Sequence, residues 1–189
     1  MWGNPDLNPE KADSWEVGVI SNPSQAVSLR LSYFNNEFED LIEWSRGTTA
    51  NVGGARSKGF ETAIEANQGN YATRLSFSYL DAINSTTGQR LLRRPRILGD
   101  LVIKHASDMH TLGVGLKYLH DVIDLDGGTW ARISGDDYAI LRIFGDYQIT
   151  DSIKLVGRIE NLMDEDYEEV DGYPALGRSI YAGLGFSFQ

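Results

Sequence analysis

Residues 159–189, IENLMDEDYEEVDGYPALGRSIYAGLGFSFQ, decide how the rest of the chain is read. The stretch leaves an alternating segment at Ile159, passes through Asn161-Leu162-x-Asp164-x-x-Tyr167, and crosses a polar loop holding Gly172-Tyr173-Pro174 and Gly177-Arg178. It then runs into a second alternating segment. There Ile180, Ala182, Leu184, Phe186 and Phe188 share one face and Tyr181, Gly183, Gly185 and Ser187 the other, because successive strand side chains point to opposite sides. An apolar face backed by small or polar residues suits a strand with lipid on one side and a polar lumen on the other. A strand of a soluble sandwich alternates in the same way, so this segment alone leaves both architectures open.

Working outward, the same period of two recurs along the chain. Val27, Leu29, Leu31 and Tyr33 alternate with Ser28, Arg30 and Ser32; Tyr71, Thr73, Leu75, Phe77 and Tyr79 alternate with Arg74, Ser76 and Ser78. Further alternating runs begin near Trp15, Phe60, Ile97, Thr111, Leu141 and Ile153. Short turns near 21–25, 67–70, 107–108 and 150–152 alternate with long polar loops at 44–57, 81–96, 121–137 and 166–178. This gives about nine strands whose long loops all lie at one end, the pattern of an outer-membrane barrel. A Greek-key sandwich has no reason to keep them there. The expected fold is therefore all-β, an antiparallel up-and-down transmembrane β-barrel segment. An odd strand number leaves two unpaired edges, which points to a piece of a larger barrel rather than a small closed one.

Composition narrows the partners. A formal net charge of -10 argues against nucleic acid, whose phosphates need a basic patch. Cysteine is absent, so neither a disulfide framework nor a thiolate metal site is available. No apolar run approaches the ~18 residues of a spanning helix. Met1-Trp2-Gly3-Asn4-Pro5 carries no secretory signal, and an exported barrel needs one, so the chain reads as a piece of a longer precursor.

Several motifs resemble the C-terminal barrel part of TonB-dependent outer-membrane receptors. They are Asn4-Pro5-Asp6-Leu7-x-Pro9-Glu10 with Trp15-Glu16-x-Gly18, Asn51-Val52-Gly53 with Arg56-Ser57-Lys58-Gly59-Phe60-Glu61, Arg93-Arg94-Pro95-Arg96, and the Asn161 to Tyr167 element with Gly177-Arg178. Their order and spacing look most like the cobalamin-receptor branch, and siderophore receptors look similar. The resemblance implies a plugged barrel of about 22 strands, of which residues 1–189 supply the closing part. The family's plug domain and its TonB-contacting N-terminal box have no counterpart here. Such receptors usually end on an aromatic residue, whereas Gln189 follows Phe188. The resemblance further implies uptake of a scarce ligand, cobalamin or a ferric siderophore, across the Gram-negative outer membrane. Its partners would be outer-membrane lipid, the small-molecule ligand, and a TonB complex reached through the N-terminal region.

Candidate residues follow from the two faces. A mid-membrane Arg or Lys on the lipid face costs roughly 2 to 4 kcal/mol, so Arg30, Glu61, Glu65, Arg74, Lys117, Arg142, Lys154, Arg158 and Glu160 are expected to face a lumen and its plug. Ile180, Ala182, Leu184, Phe186 and Phe188 are expected to face lipid. Trp15, Tyr33, Tyr71, Tyr79, Tyr118 and Tyr147 near strand ends fit interfacial girdles, and taken singly each fits an ordinary core aromatic at least as well. In the outer loops Trp44, Trp130, Tyr138 and Tyr173 are the aromatic candidates for ligand contact. Asp121, Asp124, Asp126 and Asp137 lack the full pattern of a calcium loop, so a solvated acidic loop is expected. His105, His110 and His120 keep no metal-ligand spacing, and no Ser-His-Asp set stands out around Ser134 and Asp136. No catalytic residue, metal site or resident cofactor is expected; the rival function is that of a binding module, as a self-contained small outer-membrane barrel or a soluble β-sandwich, and an outer-membrane hydrolase barrel comes third.

Overall fold

The computed structural model describes residues 4–45, 48–51 and 53–187. In chain order the strands are β1 (Lys11–Ser24), β2 (Val27–Glu39), β3 (Ile42–Ser45), β4 (Thr48–Asn51), β5 (Ala55–Gln68), β6 (Tyr71–Asn84), β7 (Ile97–Ala106) and β8 (His110–His120). They continue as β9 (Ile123–Leu125), β10 (Arg132–Ser134), β11 (Tyr138–Thr150), β12 (Ile153–Glu160), β13 (Glu168–Val170), β14 (Tyr173–Pro174) and β15 (Ser179–Phe186). Nine of them form one sheet in the order β1-β2-β5-β6-β7-β8-β11-β12-β15, every neighbour antiparallel. The strand count and the up-and-down path agree with the alternation in the sequence. The remaining three pairs, β3/β4, β9/β10 and β13/β14, are small hairpins inside the long loops.

Register turns the alternation into two continuous faces. Leu29, Ile64, Leu75, Leu101, Leu116 and Leu141 lie side by side across six strands. Toward the long loops, Tyr33, Phe60 and Tyr79 form a flanking aromatic row, joined by Trp15 whose ring lies 5.5 Å from that of Tyr33. Toward the short turns, Tyr71 packs on His105 at 4.8 Å and Tyr147 lies opposite His110. On β6 the two rows are separated by the rise from Tyr71 to Tyr79, about 27 Å along the strand. With a tilt of ~40° that is about 20 Å of height, near the ~25 Å apolar band of outer-membrane barrels.

Among the described residues nothing packs over the sheet as a second layer. Of the apolar residues described, only Ala55, Ala82 and Tyr138 are buried, while Leu31, Leu116, Leu155 and Leu184 are 38 to 56% exposed. A sandwich would bury one face of each sheet against the other, so the soluble reading fails here. Some boundaries move too. β2 ends at Glu39, and β5 and β6 run from Ala55 and to Asn84, shortening the loops expected at 44–57 and 81–96. The polar residues of these strand ends still pair, because ladder hydrogen bonds do not require apolar side chains.

Candidate functional site

The polar face carries all nine charges singled out from the sequence. Their register partners are also polar-face residues: Arg30 lies opposite Ala63, Glu65 opposite Arg74, Lys117 opposite Asp100 and Ile140, and Arg158 opposite Phe144 and Tyr181. Arg74 pairs with Glu65 at 3.0 Å, Arg158 with Glu160 at 3.5 Å and Lys154 with Asp146 at 3.8 Å. Arg158 also sits 4.5 Å over the Tyr181 ring. The sequence reading did not use Gly113 and Gly115, yet they shape this face. A Cβ on either would come within 2.4 Å of Phe144 Cζ or Arg142 Nε, so the glycines let those side chains lie flat across β8. Ile180, Ala182, Leu184 and Phe186 occupy the opposite, apolar face; Phe188 lies outside the described residues.

At the long-loop end, three connections are tied into one body. Arg90 and Arg96 each donate to Asp121, at 2.6 and 2.9 Å, and Arg93 Nε donates to Asp124 Oδ1 at 2.7 Å. Asp124 Oδ2 accepts from Asp171 N, and Asp171 Oδ2 accepts from Gly127 N. Asp137 accepts from the Asp121 amide and pairs with His120 at 2.5 Å. The loop after β8 is thus pinned by arginines from the loop after β6, and Asp124 is only 3% exposed. It is not a freely solvated acidic segment. The Arg90 guanidinium, as hydrogen-bond donor and as charge, holds the Asp121 carboxyl below the ordinary range despite partial burial, with Arg96 adding to it. At Asp124 burial pushes the pKa upward, but the Asp171 and Leu125 amides and Arg93 outweigh it and the net direction is down.

The motif residues act as staples. Asn161, 3% exposed, donates to Glu165 O and Leu176 O and accepts from Glu165 N. Asp164 accepts from Arg178 N at 2.6 Å, while Arg178 Nε donates to Leu162 O. A side chain at Gly177 would stand 2.9 Å from the Asp164 carboxylate. Near the chain start, Asn51 donates to Asn8 O and Asp40 O and accepts from Asn8 N, and Glu10 accepts from Ile42 N. Each element therefore folds a loop back on itself or onto a distant segment.

The four aromatic candidates part company. Trp130 and Tyr173 are 75% and 73% exposed, and both line an open cleft of about 960 Å³ with Arg93, Asp126, Glu169, Asp171 and Leu176. Tyr138 is 4% exposed, packs on Tyr167 at 4.1 Å and reaches Glu169, so it supports this loop from below. The Trp44 backbone pairs with Thr49 in the β3/β4 hairpin. Among the described residues no three of His, Asp and Glu converge on a metal-sized site. Ser134 donates to Gly135 O and Asp136 accepts from Glu168 N.

The family model described as TonB dependent receptor-like, β-barrel matches residues 1–162. The chain belongs to this family. As a portion of a TonB-dependent receptor barrel it is a protein of the Gram-negative outer membrane. Solved structures extend the likeness over nearly the whole chain. One is the ferric-catecholate import receptor Fiu from E. coli K12, with a TM-score of 0.81 and 20% identity over 98% of this chain. The siderophore receptor PirA from Acinetobacter baumannii gives 0.82 and 20% over 98%, and the copper transporter OprC 0.78 and 21% over 97%. The chain spans 29, 33 and 32% of those three structures, so it corresponds to about a third of a TonB-dependent receptor of their size.

Proposed function

We propose that the chain is the closing, C-terminal part of the barrel of an energy-dependent outer-membrane receptor. Its apolar face meets outer-membrane lipid, its charged face lines a lumen filled by a plug, and its long loops receive a scarce small-molecule ligand, a ferric siderophore or cobalamin. A TonB complex, acting through an N-terminal region of the receptor, rearranges the plug at the expense of the inner-membrane proton gradient. No covalent chemistry is needed for this task. The observation that carries the reading is the single-layer sheet, with exposed Leu and Val residues on one face and charges on the other. The outer sides of β1 and β15, unpaired among the described residues, fit the same view, since each would pair with further barrel strands.

In cells carrying the full-length receptor, uptake of radiolabelled ferric siderophore or cobalamin should require an energised TonB. It should fall to background when residues 126–130 are deleted while the barrel still reaches the outer membrane. Unchanged affinity and uptake after that deletion would remove the loops from the ligand path.

A further inference from the structure

The outer cleft has a charge character that the family does not dictate. Among the described residues, its walls carry the carboxylates Asp126, Glu169 and Asp171 and one cation, Arg93. That cation is offset by a carboxylate of its own. Arg93 Nε is bound 2.7 Å from Asp124, a carboxylate beneath the cleft that is 3% exposed. Glu169 is 63% exposed, and among the described residues its ion-pair partner, Lys117, stands 3.9 Å away. Asp126 is kept ionised by hydrogen bonds from the Thr129 hydroxyl and amide and from the Gly128 amide, which lower its pKa. Beside these acids lie wide apolar surfaces: Trp130 and Leu176 are each 75% exposed and Tyr173 is 73% exposed. Trp130 holds a φ of +60°, a conformation uncommon for a bulky residue, with its amide bound to Asp126 O at 2.9 Å. The turn thereby holds a large indole in solvent instead of packing it away.

We infer that this cleft takes a small ligand carrying net positive charge on an apolar or aromatic body, and rejects polyanionic chelates. Aromatic faces attract cations through the ring quadrupole, and the surrounding carboxylates add attraction of the same sign while opposing anions. The inference rests on the receptor reading above, and it narrows the ligand class within it.

The test uses the purified full-length receptor and two radio-iron-labelled probes. One is an iron(III) tris-hydroxamate bearing a free ammonium group, which is cationic; the other is an iron(III) tris-catecholate, which is anionic. The cationic chelate should bind about tenfold or more tightly than the anionic one, with the preference shrinking as salt rises. Leu176→Arg places a cation on an exposed wall and should reduce that preference several-fold, whereas Leu176→Asp should increase it. Glu169→Gln, close to isosteric, should act in the direction of Leu176→Arg. Equal or tighter binding of the tris-catecholate, binding of neither probe, or a preference indifferent to these substitutions would each overturn the charge assignment. TonB-dependent uptake of an anionic chelate alongside such a result leaves the receptor reading standing. Cationic-probe binding with the expected preference, but no TonB-dependent uptake of any ligand, would remove the receptor reading and keep the cleft.

Discussion

The sheet and its outer loops are built by different physics. The sheet depends on a repeated pattern: apolar residues every second position, ladder hydrogen bonds between neighbours in the chain, and aromatic rows at both rims. The loops depend on individual side chains. Arg93 to Asp124 spans 31 positions, Asp124 to the Asp171 amide 47, and Asn51 to Asn8 43. A pattern tolerates local change so long as each residue keeps its face, whereas a network of single bonds is broken by one substitution. The contrast can be broken or sharpened by placing charge, or removing it, in each region in turn.

The largest effect is expected in the sheet. Leu116→Arg puts a cation at the centre of the Leu29 to Leu141 row and should cost about 2 to 4 kcal/mol, read as reduced folding of the full-length receptor into lipid bilayers. Ser76→Arg, one row away on the polar face, should fold nearly as well as the parent. Equal folding of the two would dissolve the distinction between the faces.

Asp124→Asn is next. It keeps the shape but weakens acceptance from Arg93 and the Asp171 amide, and should cost about 1.5 to 3 kcal/mol locally. Hydrogen exchange at residues 121–137 and 161–178 should rise while exchange within the sheet stays unchanged. Loss of the sheet's protection as well would mean that the loops and the sheet form one cooperative unit.

Acid should act on the same staples. Asp121 and Asp124 both have folded pKa values depressed below the ordinary carboxylate value of 3.8. The stability they contribute is therefore complete above that value and is lost as pH falls through the depressed values. Loop protection should persist from neutral pH down to about 4 and decline below it, with Asp124→Asn showing a shallower decline. A loss centred near neutral pH would assign the transition to other groups.

The smallest effect on the barrel itself is expected at Arg74. Its pair with Glu65 is exposed on both sides, 67 and 52%, so Arg74→Glu should change barrel stability by about 1 kcal/mol or less. The same reversal should weaken retention of the plug in the full-length receptor, measured by its susceptibility to protease. Retention identical to the parent would remove Arg74 from the plug contact.

Much of the sheet was legible because its information is local. Glu61 and Ile64 declare their faces by position parity alone, and turns such as Asn67 to Asn70 and Ser107-Asp108 mark where the parity restarts. The loop hairpins β9/β10 and β13/β14 were not legible, since strands of two or three residues carry no period. Tyr138, expected from the sequence as an aromatic candidate for ligand contact, is instead 4% exposed. Its burial depends on Tyr167, 29 positions downstream. Gly113 and Gly115 carry no signal of their own in the alternation, because what requires them is Phe144 and Arg142 lying over them from β11.

By itself the sequence determined the strand number, the two faces, the end that carries the long loops and the membership suggested by its motifs, because alternation and turn chemistry act between residues close in the chain. Only the tertiary structure decided that the acids of 121–137 are held by arginines, that Asn161 and Asn51 are staples, and that Trp130 and Tyr173 share a cleft. Those outcomes depend on which side chains meet after strands far apart in sequence have been brought to one rim, and no local pattern encodes that meeting.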